Sequence, residues 1–348
     1  MKIGIISPPW VPVPPPFYGG TEAVIDGLAR GLDTAGHDVL LFTTGDATCP
    51  VPRGYALEKA EPDRIGSASV ELHHLAEAYR AMERWGADVV HDHTLIGPAY
   101  SANHPGLRVL STNHGPFDED VSEVYRAIGA RVPVIAISAD QARRAPHGVV
   151  ATVIHHGLEL DRFPFGAGAG DDHGPYLVFL GRMAPEKGAE EAARVARATG
   201  RRLLIAAKLR EPAERRYFSE RVQPLLGDGI EYVGELAHHE KVRLLAGATA
   251  LLNPIRWPEP FGLVMIESLA CGTPVLTYPE GAAPEIVDDG ATGFLCTDVT
   301  ELSQRVSVAG VLDRTACRAA VERRFTTDRM VDEHIRVYER LLSTAAAA

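Results

Sequence analysis

Two glutamates stand eight positions apart in the stretch Trp257-Pro258-Glu259-Pro260-Phe261-Gly262-Leu263-Val264-Met265-Ile266-Glu267, on either side of a Pro/Gly turn that leads into an apolar, helix-like segment. Glu259 precedes the turn, where its side chain can reach into a cleft. Gly262 allows a ligand close to the backbone, and the residues around it, Phe261 to Leu263, can present free N–H groups at a helix start. Glu267 lies about one turn inside that helix. Carboxylates accept hydrogen bonds from sugar hydroxyls and a helix N-terminus faces an anion, so the pattern suits a polyhydroxylated ligand that also carries phosphate.

A second segment, Gly181-Arg182-Met183-Ala184-Pro185-Glu186-Lys187-Gly188, follows directly on the apolar run Tyr176–Leu180 and opens a helix. Arg182 offers a planar fork to phosphate oxygens and Lys187 a point charge, so both cations can turn toward one diphosphate. A solvated loop with two ordinary cations is the plain alternative; the position at the end of a strand favours the ligand. His114, beside Gly115-Pro116, also ends a strand and is read as an active-site candidate over a satisfied core histidine. His91 and His93 lie two apart on one strand, so they share a face. No third ligand with metal spacing follows, and no metal is expected. The doublets His73-His74, His155-His156 and His238-His239 read as surface or loop residues. Asp118-Glu119-Asp120 has the form of a divalent-cation motif but sits in an acidic loop, where chance accounts for it. Gly166-Ala167-Gly168-Ala169-Gly170 fails the dinucleotide pattern because Asp171 takes the last glycine position. The run Pro8 to Tyr18 is either a stiff polyproline connector or a lid offering Trp10 or Tyr18 to a sugar.

The elements that must carry these residues alternate. Lys2–Ser7, Asp38–Thr43, Asp88–His91, Leu107–Thr112 and Val134–Ser138 read as strands. A helix capped by Thr21, with Val24, Ile25, Leu28 and Leu32 on one face, ends at Gly36, and another spans Leu72–Trp85. Phe163 to Pro175 has linker composition. Alternation then restarts with strands at Tyr176–Leu180, Arg202–Ala206, Ile230–Val233, Ala250–Asn253 and Pro274–Thr277, a helix at Ala189–Ala198, and a last helix from Thr327 to Leu342. This is an α/β chain of two doubly wound parallel-sheet domains, with ligands at the carboxyl ends of the strands. Its 348 residues fit two cores, and 45% apolar content fits a globular protein. A net charge of −11 argues against a nucleic-acid partner. Four scattered cysteines suggest a reducing, cytoplasmic setting, and no apolar run is long enough to span a membrane.

G-R-x-x-x-E-K-G followed by E-x7-E resembles the family 4 retaining glycosyltransferases of the GT-B fold. Gly19-Gly20 resembles the family's N-terminal glycine pair, Thr112-Asn113-His114 its active-site histidine, and Gly281-Ala282-Ala283-Pro284-Glu285-Ile286-Val287 its G-G-x-P-E-I-V block, with Ala282 in place of the second glycine. The resemblance implies two Rossmann-like domains facing a central cleft: an acceptor-side domain at 1–160, a donor-binding domain at 161–326, and a helix at 327–348 packed back on the first. It implies a sugar transfer from a nucleoside diphosphate sugar, UDP-hexose ahead of GDP-mannose, to an unidentified acceptor hydroxyl, with no cofactor or essential metal. Arg182 and Lys187 would neutralise the diphosphate, helped by backbone at Gly20 and at Phe261, Gly262 and Leu263. Glu267 would hold the ribose, Glu259 the donor sugar, Leu236 the base, and His114 would stand near the anomeric centre. A sugar-nucleotide epimerase or a catalytically inactive binder are the alternatives.

Overall fold

The computed structural model describes residues 1–128 and 131–346 and divides into two compact units. The first unit comprises Met1–Gly157 and Thr327–Ala348; the second is Leu158–Thr326, so the first boundary falls at 157/158 and not at 160/161.

In the first unit the strands are β1 (Lys2–Ile6), β2 (Asp38–Thr43), β3 (Arg53–Tyr55), β4 (Val89–Asp92), β5 (Val109–Thr112), β6 (Val134–Ala136) and β7 (Val150–Val153). All pair in parallel in the order β3-β2-β1-β4-β5-β6-β7. Parallel strands covered on both faces need apolar residues at nearly every position. Ile3, Ile5 and Ile6 of β1 and Val89 and Val90 of β4 are accordingly buried. The helix Gly20–Thr34 buries Val24, Ile25, Leu28 and Leu32, the expected stripe. Its cap differs from expectation. The helix begins before Thr21, Gly19 precedes it, and no side chain caps it, because Gly19 and Gly20 supply no side-chain acceptor. The terminal helix Thr327–Ala346 packs against this helix.

The second unit holds β8 (Tyr176–Arg182), β9 (Arg202–Lys208), β10 (Ile230–Gly234), β11 (Ala250–Asn253), β12 (Val275–Thr277) and β13 (Gly293–Leu295), parallel in the order β10-β9-β8-β11-β12-β13. Its core gathers Leu177 and Phe179 of β8, Leu203 and Ile205 of β9, and Ala192, Val195 and Ala196 of the helix Ala189–Thr199. Each buried leucine or phenylalanine there stabilises the fold by about 1.5–3 kcal/mol.

The stretch Phe163–Pro175 is not a linker. Phe163 is buried, the Gly166 N–H donates to the Cys271 carbonyl, and the Arg314 guanidinium donates to the Gly166 carbonyl at 2.7 Å. A Cβ on Gly166 would stand 2.2 Å from the Ala246 oxygen. The glycines that gave the segment its flexible composition let it lie flat against the second unit.

Candidate active site

Strand β8 runs on through Gly181 and ends at Arg182, so the first cation of the Gly-Arg segment sits at a strand's carboxyl end. A 3-10 turn over Pro185–Lys187 then presents Lys187. The Arg182 guanidinium donates to Glu186 at 2.6 Å, an exposed pair of little energetic weight. Lys187 is held more firmly. Its ammonium donates to the Glu259 carboxylate and lies 4.9 Å from the centre of the Trp257 ring. Both partners are largely enclosed, with side chains 13% and 15% exposed.

The Glu259 loop is fixed from behind. The Ala282 N–H donates to the Glu259 carbonyl at 3.0 Å, and Gly281 crosses the same peptide at φ 57. A Cβ on Gly281 would lie 2.3 Å from the Glu259 oxygen and 2.4 Å from its nitrogen, so no side chain fits without moving that backbone. Ala282 has φ −81, a conformation open to any residue, and is fully buried. The close approach is therefore made at Gly281, not at the position where the family's second glycine is replaced. We expect Gly281→Ala to lower turnover about tenfold to a hundredfold by displacing Glu259. Gly290→Ala is the control, because at φ 76 it adds backbone strain with nothing within 4 Å. Steady-state kinetics of both variants check this, with equal losses counting against a role for the Glu259 backbone.

Gly262, at φ 93, leads into the helix Leu263–Ala270. Phe261 is buried edge-on against Phe325, with ring centres 5.9 Å apart, and Leu263 is half-buried in the first turn. Glu267, one turn on, is only 8% exposed, and Lys241 donates to its carboxylate at 2.5 Å. Leu236 is half-buried in the turn between β10 and the helix His238–Gly247, which carries Lys241. The two glutamates are thus each held by a separate lysine. Lys241 escapes the reading of the sequence, and Trp257 opens the Glu259 motif without a role there; its indole N–H is buried with no partner among the described residues. A signal for Lys241 existed: lysine is scarce here, with arginine supplying most of the positive charge.

Gly19, Gly20 and His114 belong to the first unit. Next to the glycine pair, Glu22 is buried in the first helical turn, and burial pushes its carboxyl up to about 7 against a backbone hydrogen bond that lowers it. His114 is not isolated. His93 Nδ1 lies 2.8 Å from His114 Nε2, and the His91 ring lies tilted with its centre 4.0 Å from that of His93. His156 stacks 5.3 Å from His114, and His334 of the terminal helix 5.3 Å from His91. His91 is bonded at both nitrogens, to the Tyr338 and Thr112 hydroxyls. Burial, reinforced by the neighbouring imidazoles, holds His91, His93 and His156 well below the ordinary histidine range and His114 at about 3, while burial and the Arg329 charge hold His334 at about 4 against its hydrogen bond to the Met330 carbonyl. Two of the histidines read as surface or loop residues are buried, although His156 does lie in a loop. His156 belongs to the cluster, and His74 is buried with Nε2 donating to the Ser7 carbonyl at 2.9 Å. Among the described residues no group of three or more His, Cys, Asp or Glu is arranged to hold a metal ion. Asp118 accepts the Val121 N–H ahead of the helix Glu119–Ile128, a capping contact.

The family profile described as Glycosyltransferase Family 4 matches residues 18–162, and that described as Glycosyl transferases group 1 matches residues 166–309. The chain is 27% identical to the glycogen synthase of Mycobacterium tuberculosis, over 90% of this chain and 88% of that one. It is 26% identical to the phosphatidyl-myo-inositol mannosyltransferase of Propionibacterium freudenreichii, over 84% and 81%. Among solved structures, AviGT4, a glycosyltransferase involved in avilamycin A biosynthesis, superposes with a TM-score of 0.73 at 27% identity, over 98% of each chain. With two parallel Rossmann-like sheets, a profile match in each unit and relatives along most of its length, the chain belongs to the family 4 glycosyltransferases of the GT-B fold and is a glycosyltransferase.

Proposed function

We propose that the enzyme takes a hexose from a nucleoside diphosphate sugar and places it on an acceptor hydroxyl with retention at the anomeric carbon, UDP-hexose being preferred to GDP-mannose. The observation that carries this reading is the Lys187–Glu259 pair, whose lysine sits on the turn that follows Arg182 and the carboxyl end of β8. A lysine and an arginine there meet the two negative phosphates of the leaving group. The enclosed Glu259 accepts hydrogen bonds from sugar hydroxyls once Lys187 turns to the diphosphate. Glu267 takes the ribose hydroxyls, the backbone after Gly262 and at Gly19-Gly20 faces phosphate oxygens, and Leu236 lies along the base.

In the reaction the bond from the anomeric carbon to the phosphate oxygen breaks as the acceptor oxygen bonds to that carbon on the same face. The acceptor proton passes to the departing phosphate oxygen. Arg182 and Lys187 stabilise the charge that builds on the diphosphate, the largest single contribution such a site makes. They supply it without a metal ion. His114 contacts the sugar near the reacting carbon. The acceptor is assigned to the first unit. No helix of the described residues is long and apolar enough to cross a membrane. Cys49, Cys271, Cys296 and Cys317 are buried free thiols, each pushed up to about 12 by burial, which suits a cytoplasmic enzyme.

Melting the protein with UDP, GDP, ADP or TDP and their sugar conjugates, without metal, tests the donor. At a hundredfold excess over its Kd, a nucleotide that binds only the folded state adds about 2.7 kcal/mol. We expect UDP and a UDP-hexose to raise the melting temperature. A rise with GDP alone replaces the donor, and no rise with any nucleotide withdraws the proposal.

A further inference from the structure

We propose that His93 is a positioning residue that locks His114 in the tautomer carrying its proton on Nδ1, so that His114 meets the substrate as a hydrogen-bond donor. This rests on the assignment of His114 to the sugar site, but the tautomer itself follows from the geometry. His93, one residue past β4, is 5% exposed, and its Nδ1 faces His114 Nε2 at 2.8 Å. Both rings are neutral, so one facing nitrogen carries a proton and the other a lone pair. The choice is made at the far side of His93. Its Nε2 is buried without a partner among the described residues, and the pocket that His93 lines with Val24, Leu28 and Ile135, and with Thr112, His156 and His334, gives it no hydrogen bond. An orphaned buried N–H forfeits its full solvation, and such groups are rare, whereas a bare nitrogen lone pair facing apolar groups is the smaller loss. His93 therefore keeps its proton on Nδ1 and donates it to His114 Nε2.

His114 then has its own proton on Nδ1, the nitrogen to which the structure gives no hydrogen bond. Two other members of the cluster are already committed. His91 is engaged at both nitrogens, and His334 must donate from Nδ1 to the Met330 carbonyl at 2.7 Å. His114 is the member with residual exposure. It is a neutral donor toward an oxygen of the substrate and not a base.

Nitrogen-15 NMR of histidine-labelled protein at pH 7 reads the tautomers without any substitution. The expected result is the Nδ1–H form for both His93 and His114; an Nε2–H form at His114 overturns the proposal. Two variants test the function of the lock. His93→Asn keeps an N–H close to the place of Nδ1 and should hold kcat within about threefold. His93→Leu keeps volume but offers no donor, and should mix the His114 tautomers and lower kcat about tenfold or more with KM for the donor little changed. Wild-type kcat in His93→Leu, with His114→Ala inactive, overturns the positioning role. Wild-type kcat in His114→Ala instead removes His114 from the reaction, a result that the NMR spectrum separates from the tautomer assignment.

Discussion

Lys187→Ala should lower the turnover of sugar transfer by about a hundredfold to a thousandfold, the loss of roughly 2.7–4 kcal/mol of transition-state stabilisation that follows removal of one preorganised donor from developing negative charge. Lys187 sits on a 3-10 turn that follows β8, by the Trp257 ring and against Glu259, so a turn of its side chain away from Glu259 is what brings the ammonium to a leaving group. Glu259→Ala should cost a similar factor by a different route, since it removes the acceptor for sugar hydroxyls and frees Lys187 from its resting partner. Lys187→Arg should not restore activity, because a planar fork does not occupy the place of a compact ammonium under an indole. Each truncation also strands a largely enclosed opposite charge, so part of the loss is stability, at about 1–3 kcal/mol. Melting temperature and initial rates measured together separate the two effects. Unchanged turnover in both Lys187→Ala and Glu259→Ala would remove these residues from the reaction.

The second large effect is an acid-sensitive first unit. His74, His91, His93, His156 and His334 are buried and neutral in the folded state, whereas in the unfolded chain each titrates near 6.5. Their folded values lie below the unfolded one, so the unfolded state binds more protons and stability falls as pH drops below 6.5, a loss that continues until the folded values, about 4 for His74 and His334, are reached. Between pH 6.5 and 5 each histidine withdraws about 1–2 kcal/mol, together about 8 kcal/mol. Two carboxyls act in the opposite sense. Burial raises Glu22 to about 7 and Asp92 to about 6, and both gain protons in the folded state over this window, returning about 3 kcal/mol. A net loss of about 5 kcal/mol is comparable with the whole stability of a marginal domain. Arg329, which donates to the His155 and His156 carbonyls, adds a fixed positive charge that further disfavours protonation of His156. Urea titrations from pH 7 to 5 should show the first unit's transition collapsing near pH 5, with roughly three protons taken up on unfolding. A transition that keeps its midpoint across that range would mean that the cluster is solvated in solution.

Much of this architecture is legible in the sequence, for identifiable reasons. Strands such as Lys2–Ile6, Asp38–Thr43 and Ala250–Asn253 are apolar runs closed by turn residues, and parallel pairing buries both of their faces. Arg53–Tyr55, Val150–Val153 and Gly293–Leu295 passed unnoticed because they are sheet-edge strands of three or four residues, too short to show a period. The Gly166 segment misled for a related reason: glycine that serves close packing has the same composition as glycine that serves freedom. Arg182, Lys187, Glu259 and Glu267 stand at fixed spacings and can be read as a set. Lys241 meets Glu267 from another helix, and His156 and His334 meet His114 and His91 from the two sides of the second unit in the sequence. No local spacing encodes such meetings. Doubled histidines look solvated in a sequence because polarity is visible there and burial is not.

The first unit is closed by its last helix, which brings Tyr338 to His91 and His334 to the imidazole stack from beyond Thr326. On the ribosome, therefore, the half of the protein made first is the half finished last. At translation speeds of about 5–20 residues per second, the whole second unit emerges over roughly ten to thirty seconds while the earlier sheet waits without its closing helix. During that interval Val331 and Tyr338 have not yet arrived to cover the face of the helix Gly20–Thr34 and the end of β4, so a nascent-chain chaperone has its longest opportunity on the oldest part of the molecule.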